Sequence, residues 1–339
     1  MTISVLIMGA GSVGCYLGGV LAAAGASVHF VGRPRVLDGL RAHGLTLSDL
    51  EGRSQQLAAS TLRLHESLPA GLRPDVTLLC VKSSATAEAA AELQAALPPG
   101  SVLVSMQNGI GNAQRAQAAA PALDCRAGMV PFNIAELGPG RFHRGTLGAL
   151  AAQAEPGDAA LAALREAFAG QGLKLKLQPD LRAVQWGKLL INLNNPVNAL
   201  SGRPLRAELL ERGYRRCFAA LQEEALDILE AGAIPVAQLS PLAPRKLIAL
   251  LRLPTPLFRL LARKMLRIDD KARSSMADDL SLGRTTEIDA LSGEVQRLAQ
   301  GLGREAPLNA RMLALVQAWP QRGGAPYGPR ELEQALGLR

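Results

Sequence analysis

Aromatic residues are scarce in this chain: six Phe, three Tyr and two Trp make up 3% of 339 residues. Stacking platforms for single-stranded nucleic acid are therefore not expected. Cysteine is also sparse. Cys15, Cys80, Cys125 and Cys217 lie far apart in apolar stretches and lack metal-ligand spacing, which suits small reduced core residues and predicts neither a disulfide framework nor a metal site. No apolar run reaches the roughly 18 to 20 residues needed to cross a bilayer. Met1-Thr2-Ile3-Ser4 leads directly into a strand-like segment with no basic leader, so a cytoplasmic location without membrane insertion is expected.

Charge is modest in amount, 19% of residues, and uneven in placement. The net charge of +8 is concentrated between Ser240 and Arg273, where nine basic residues face two acidic ones, a local +7. Leu247, Ile248, Leu250, Leu251, Leu257, Phe258, Leu260, Leu261, Met265 and Leu266 interleave with these cations, as in amphipathic helices with solvated basic edges. A surface for an anionic partner or a membrane is the alternative reading. Nucleic acid is not an expected partner.

With 48% hydrophobic residues the chain is long enough for two cores. In its first half, strand and helix signals alternate. Ile3 to Met8, Ser27 to Val31, Val76 to Val81 and Ser101 to Ser105 read as strands, and Val13 to Ala24 and Ala85 to Leu97 as helices, the pattern of a parallel sheet. Residues 124–150 read as further short strands added to that sheet, with turn chemistry at Gly138-Pro139-Gly140. Gln178-Pro179-Asp180 breaks the pattern, and helical periodicity then runs to Ala318 through long segments at Leu181 to Leu193, Leu205 to Ala231 and Glu287 to Gln300. The expected fold is α/β: a Rossmann-type dinucleotide-binding domain over 1–178, then an all-α substrate domain over 179–339.

Gly9-Ala10-Gly11-Ser12-Val13-Gly14 is a G-x-G-x-x-G placed directly after a strand and opening a helix. The first glycine suits a tight turn, the second lets backbone approach a pyrophosphate, and the third lets helix pack on strand. The helix N-terminus offers its unpaired N–H groups to the phosphates. Where an NAD site usually carries an acid for the ribose hydroxyl, this chain has Gly32-Arg33-Pro34-Arg35. Guanidinium groups there favour the 2′-phosphate of NADPH, and Arg33 is the stronger candidate. Lys82 and Asn108, in Val81-Lys82-Ser83 and Gln107-Asn108-Gly109-Ile110-Gly111, each follow a strand, where ligands of open α/β sheets lie, so both are positioned to touch cofactor or substrate, and Asn108 is a candidate for binding each. Asn108-Gly109 is equally compatible with plain turn chemistry.

In the second half, Lys188, Asn192 and Asn195 fall at i, i+4 and i+7 of a segment otherwise filled by Leu189, Leu190, Ile191 and Leu193. A helix buried on most sides with one polar stripe is expected, ended or kinked by Pro196, which leaves Asn195 and Asn198 less surely placed than Asn192. Thr286 and Asp289 resemble a capping box. Glu287 then reads either as a first-turn acid or as a partner for Lys188 or a cofactor hydroxyl.

These features together resemble the ketopantoate reductases, or 2-dehydropantoate 2-reductases, over nearly the whole chain. The resemblance rests on the phosphate loop, Lys82, the run from Gln107 to Gly111, the Lys188 and Asn192 pair, and Ser275 placed twelve residues before Glu287. It implies catalysis in a cleft between a Rossmann-type and a helical domain. Lys188 is then the proton donor, Asn192 and Ser275 bind substrate, Asn108 and Glu287 contact NADPH, and Asn133 matches another cofactor contact. Gly9 to Gly14 hold the dinucleotide. The family's second substrate asparagine corresponds to Asn195 or Asn198, and the basic stretch from Pro241 to Arg267 is longer than in compact members.

The expected reaction is NADPH-dependent reduction of ketopantoate to pantoate in pantothenate biosynthesis. Hydride addition to a ketone leaves charge on oxygen, which an ammonium such as that of Lys188 can stabilise and protonate. Two alternatives stand: a related reductase or dehydrogenase for another branched 2-keto or 2-hydroxy acid, and an NADPH-sensing regulatory or scaffold protein. The sequence leaves oligomeric state open, a homodimer included.

Overall fold

Short aliphatic runs bounded by glycine form the strands of the first of two units, Met1–Leu181. The computed structural model describes residues 2–263, 265–270 and 272–338. In chain order the first unit contains β1 (Ser4–Met8), α1 (Ser12–Ala23), β2 (Ser27–Val31), α2 (Pro34–His43), β3 (Leu45–Asp49), β4 (Ser54–Leu57), β5 (Arg63–His65), β6 (Val76–Leu79), α3 (Thr86–Ala96), β7 (Val102–Ser105), α4 (Asn112–Ala119), β8 (Asp124–Met129), β9 (Ile134–Glu136), β10 (Arg141–Arg144), β11 (Leu150–Gln153), α5 (Ala159–Gly170) and β12 (Leu175–Gln178). An eight-stranded sheet runs β12-β11-β8-β7-β6-β1-β2-β5. The strands from β8 to β5 are mutually parallel, and β11 lies antiparallel to β8. Successive side chains of β1 serve opposite cores: Ile7 packs with Leu17 and Phe30, and Leu6 with Leu79, Leu93 and Leu103. This is a Rossmann-type sheet, with β1 between β6 and β2 at the point where the strand order reverses.

Residues 124–150 do not all extend that sheet. β8 and β11 join it, whereas β9 and β10 pair with β3 and β4 in a separate four-stranded sheet. A buried ion cluster accounts for the diversion: the Arg144 guanidinium donates to Asp49 at 2.9 Å and Glu51 at 2.7 Å, and lies 5.5 Å from the Phe132 ring centre. A buried guanidinium needs such partners, and they lie nearly a hundred residues away in sequence.

The second unit, Arg182–Arg339, is all-helical among its described residues. It contains α6 (Arg182–Asn192), α7 (Asn194–Ser201), α8 (Leu205–Leu210), α9 (Arg212–Ala231), α10 (Pro244–Arg252), α11 (Thr255–Leu261), α12 (Ser275–Ser281), α13 (Ser292–Gly301), α14 (Pro307–Gln317) and α15 (Pro329–Leu336). The predicted segment from Leu205 to Ala231 is divided at Glu211, whose ψ of 117° is extended. Arg215, one turn into α9, explains the junction. Its fully buried guanidinium donates to the carbonyls of Leu209, Leu251 and Leu253 and sits 4.2 Å from the Phe258 ring centre, so it ties α8, α10 and α11 to α9. The helix predicted from Glu287 begins only at Ser292, after a 3₁₀ turn over Ile288–Ala290. The Asp289 carboxylate accepts from Arg297 at 3.1 Å, so the Thr286–Asp289 capping box does not form.

The basic stretch splits in two. Arg245 pairs with Asp227 and Glu230, and Arg252 with Glu223, so α10 turns its cations to the acidic edge of α9 and buries Leu247, Ile248, Leu250 and Leu251. On α11, Phe258 is buried and Leu257, Leu260 and Leu261 are exposed, less covered than an amphipathic helix would predict. Lys264 and Lys271 lie outside the described residues. Among the described residues no helix is long and apolar enough to cross a membrane.

A Cβ on Gly14 would meet the Gly9 carbonyl oxygen at 2.1 Å, whereas one on Gly11 would meet nothing within 4 Å. Gly14→Ala is expected to lower stability by about 2 kcal/mol or more through forced backbone displacement, and Gly11→Ala by no more than about 0.5 kcal/mol. Chemical denaturation of both variants checks this; equal midpoints would refute the close-packing account.

Candidate functional site

The first cluster of candidate residues follows the carboxyl ends of adjacent strands. After β1 the chain turns at Gly9, at φ +109°, where a Cβ would strike the backbone N of Val81 at 2.6 Å. The N–H groups of Gly9 and Ala10 both donate to the Val31 carbonyl, at 3.0 and 2.9 Å, which fixes the loop to the end of β2. Gly11 then caps α1, with no side-chain cap and no acid in the first turn. The N–H groups of Ser12, Val13 and Gly14 have no acceptor within the helix, and the space beside Gly11 is open, so these residues fit a pyrophosphate held by backbone donors. Arg33 stands exposed at the end of β2 and caps α2; Arg35, two residues on, is paired with Glu136 at 3.8 Å. Among the described residues no ion pair engages Arg33, which leaves its guanidinium available to a phosphate.

Lys82 and Asn108 follow β6 and β7, neighbours in the sheet. Their loops are bound together by residues to which motif reading gave no role of their own. Gln107 donates to the Val81 carbonyl at 2.9 Å and to Thr86 Oγ1 at 2.8 Å, and accepts from Ser105 at 2.8 Å. Asn112, almost fully buried, donates to the Asn108 carbonyl at 2.7 Å, and Ser83 donates to the same oxygen at 3.0 Å. Asn108 is therefore held through its backbone while its residue stays half-exposed. The available signal was the density of Ser, Thr, Gln and Asn immediately after two apolar strands, where buried polar groups must satisfy one another. Asn133, between β8 and β9, is fixed likewise: its N–H donates to Thr146 Oγ1 at 2.9 Å and its carbonyl accepts from Gly145 at 2.9 Å.

The second cluster lies in the helical unit. Lys188 and Asn192 share α6, one turn apart. The expected continuous stripe to Asn195 is interrupted, because α6 ends at Asn192 and α7 starts at Asn194. Pro196 causes this break from downstream: it cannot donate to the Asn192 carbonyl, and its ring would clash with it. The neighbours of Lys188 are tightly set. A Cβ on Gly187 would meet the Ala237 carbonyl at 2.3 Å, and Gln222 of α9 donates to the Leu190 carbonyl at 3.0 Å. Ile191 is exposed rather than packed.

Lys188 is half-buried, and loss of water around its ammonium lowers its pKa from 10.5 to about 8. Neither Glu287 nor any other described carboxylate offsets that shift. Such a lysine is charged at neutral pH and still gives up its proton far more readily than an ordinary one.

The asparagines divide by their partners. Among the described residues nothing engages the side-chain amides of Asn192 and Asn195. Asn198, fully buried, accepts from the Ser274 N–H at 2.9 Å and donates to the Arg203 carbonyl at 2.9 Å. Its amide is committed to the protein, and of the two open candidates Asn195 is the one with a side chain to offer a ligand. Ser275 opens α12, exposed beside buried Ser274, and Glu287 precedes the 3₁₀ turn, half-buried.

Comparison with known proteins fits this arrangement. The family model "Ketopantoate reductase PanE/ApbA" matches residues 5–156, and "Ketopantoate reductase PanE/ApbA C terminal" matches residues 180–319. The chain is 26% identical to a 2-dehydropantoate 2-reductase of Pyrococcus horikoshii over 94% of its length and 98% of the relative's. Among solved structures it resembles a PanE/ApbA family ketopantoate reductase from Ralstonia eutropha JMP134, at 28% identity and a TM-score of 0.77, covering 94% of this chain and 98% of that one. It also shares its fold with D-mandelate dehydrogenase, solved with NADH and anilino(oxo)acetate, at 18% identity and a TM-score of 0.74, over 94% of this chain and 98% of that one. Two consecutive family models spanning most of its length, on the matching α/β and helical units, make this chain a member of the ketopantoate reductase family of oxidoreductases.

Proposed function

We propose that this chain reduces 2-dehydropantoate to pantoate with NADPH, the reductive step of pantothenate biosynthesis. The observation that carries the reading is Lys188: a half-buried ammonium with a pKa of about 8, one helical turn from an amide that no described residue engages. When bound, the dinucleotide supplies the hydride. Gly9 to Gly14 hold its pyrophosphate, and Arg33 its 2′-phosphate. Lys82, Asn108, Asn133 and Glu287 make further contacts with it. Lys188 stabilises the developing oxyanion and gives it a proton, while Asn192, Asn195 and Ser275 orient the keto acid. A lysine lowered in pKa without a carboxylate partner suits proton transfer better than passive cofactor sensing.

A second reading, turnover of another 2-keto or 2-hydroxy acid with either nicotinamide cofactor, is favoured by the fold shared with D-mandelate dehydrogenase. Purified protein should oxidise NADPH on addition of ketopantoate and do so at least tenfold more efficiently, in kcat/KM, than with phenylglyoxylate and NADH. The reverse ranking selects the second reading.

Lys188→Ala should lower kcat by roughly 10² to 10⁴, with dinucleotide affinity retained. A general acid acts protonated, so kcat/KM for reduction should be level below pH 8 and decline above it as Lys188 loses its proton at about 8. A steady-state pH series checks both points: a variant near parental kcat, or one that keeps the alkaline decline, removes Lys188 from the role.

Arg33→Ala should weaken NADPH binding by about 10- to 150-fold, the loss of roughly 1.5 to 3 kcal/mol from a charge-assisted hydrogen bond. NADH lacks the 2′-phosphate and should be almost unaffected. Titration of both cofactors against parent and variant decides; equal weakening leaves Arg33 as a loop residue only.

A further inference from the structure

Glu208 lies on α8, fully buried. Its Oε2 accepts from Asn194 Nδ2 at 3.0 Å and, more weakly, from Asn198 Nδ2 at 3.5 Å. Asn198 in turn accepts the Ser274 N–H at 2.9 Å. Ser274 completes the knot: its hydroxyl donates to the Asn195 carbonyl at 3.1 Å and accepts from the Ala277 N–H at 3.2 Å, which caps α12. One carboxyl group is thus connected, through two buried asparagines and a buried serine, to the backbone of Asn195 and to the residue just before Ser275.

We propose that Glu208 is a positioning residue for substrate: by fixing Asn194 and Asn198 it sets where α12 begins relative to α7, and hence the spacing of Asn195 and Ser275. This rests on the proposal that these two side chains hold the keto acid.

The chemistry of the node supports the role. Arg215, the charged group that acts on Glu208, spends its donors on the Leu209, Leu251 and Leu253 carbonyls, so among the described residues no ion pair keeps the carboxyl charged. Burial raises Glu208 to about 8, and the neutral acid predominates at pH 7. A neutral carboxyl both accepts and donates. Glu208 Oε1 and Asn194 Oδ1 are both buried, and neither has a hydrogen-bond partner among the described residues. A Gln at this position has the same shape and can likewise accept and donate, whereas Ala leaves Asn194 without its acceptor and Asn198 with the Arg203 carbonyl alone.

The test uses the full-length chain as parent, Glu208→Gln, Glu208→Ala and Asn198→Ala. Hydrogen–deuterium exchange is read at residues 274–277, alongside KM and kcat for ketopantoate and Kd for NADPH. Glu208→Ala and Asn198→Ala should accelerate exchange at that segment by tenfold or more and raise KM by tenfold or more, with kcat within about threefold and NADPH affinity unchanged. Glu208→Gln should remain within about twofold of parent in both readouts. Asn198→Ala cuts the link without altering Glu208, so it decides the matter if Glu208→Ala does not fold. Parental exchange at 274–277 in Asn198→Ala overturns the brace, as does a Glu208→Gln variant that exchanges like Asn198→Ala. Faster exchange with an unchanged KM overturns the positioning role. A parent that turns over no 2-keto acid defeats the functional proposal, and with it the substrate half of this one, while the exchange data still decide whether the brace exists.

Discussion

The absence of a side chain at Gly14 lets α1 start against the loop that leaves β1, with room for no atom between Cα and the Gly9 carbonyl. From that approach follows the orientation of the helix N-terminus, since α1 cannot tilt away without opening its contact with Ile7. The loop is in turn clamped to β2 by the paired N–H groups of Gly9 and Ala10 on Val31. A row of backbone donors is thereby fixed at the point where the strand order reverses. Rigid donors aimed in advance are what a dianionic ligand requires, because no ordering cost is left for the moment of binding.

The helical unit solves a different problem. Its helices are short, and many ends fall inside the protein, where orphan carbonyls and N–H groups must find partners. Arg215 supplies three donors to carbonyls at the ends of α8 and α10, Gln222 supplies one to α6, and Glu224 accepts from the Leu308 and Asn309 N–H groups at the start of α14, both at 2.8 Å. Buried polar side chains thus serve as internal helix caps. Four asparagines crowd the α6–α7 junction. Asn194 and Asn198 turn inward, to Glu208, the Arg203 carbonyl and the Ser274 N–H, while among the described residues nothing engages the amides of Asn192 and Asn195.

Much of this was legible along the chain. The phosphate loop, the parallel strands and their helices, and the all-α second half follow from period and glycine placement, which are local. Lys188 and Asn192 were identifiable because both fall on one short helix and need only helical geometry to be neighbours. Less legible were features set by partners distant in sequence: the separate sheet built around Arg144, the lattice of Ser83, Thr86, Gln107 and Asn112, and the division of labour among the asparagines. The Thr286–Asp289 pair had a capping pattern, but Arg297, eight residues beyond Asp289, competes for the carboxylate.

By itself the sequence determined the order of elements, the glycine loop with its helix, the arginine in place of an acid after β2, and the lysine one turn before an asparagine. Each depends on spacing within a few residues, and backbone geometry translates spacing directly into position. Tertiary structure alone decided which amides are spent inside the protein and which no described residue engages, and how far the Lys188 ammonium is withdrawn from water. It alone buried Glu208 beneath the asparagine junction. Desolvation and hydrogen-bond saturation depend on what surrounds a group in space, and those neighbours are drawn from the whole helical unit.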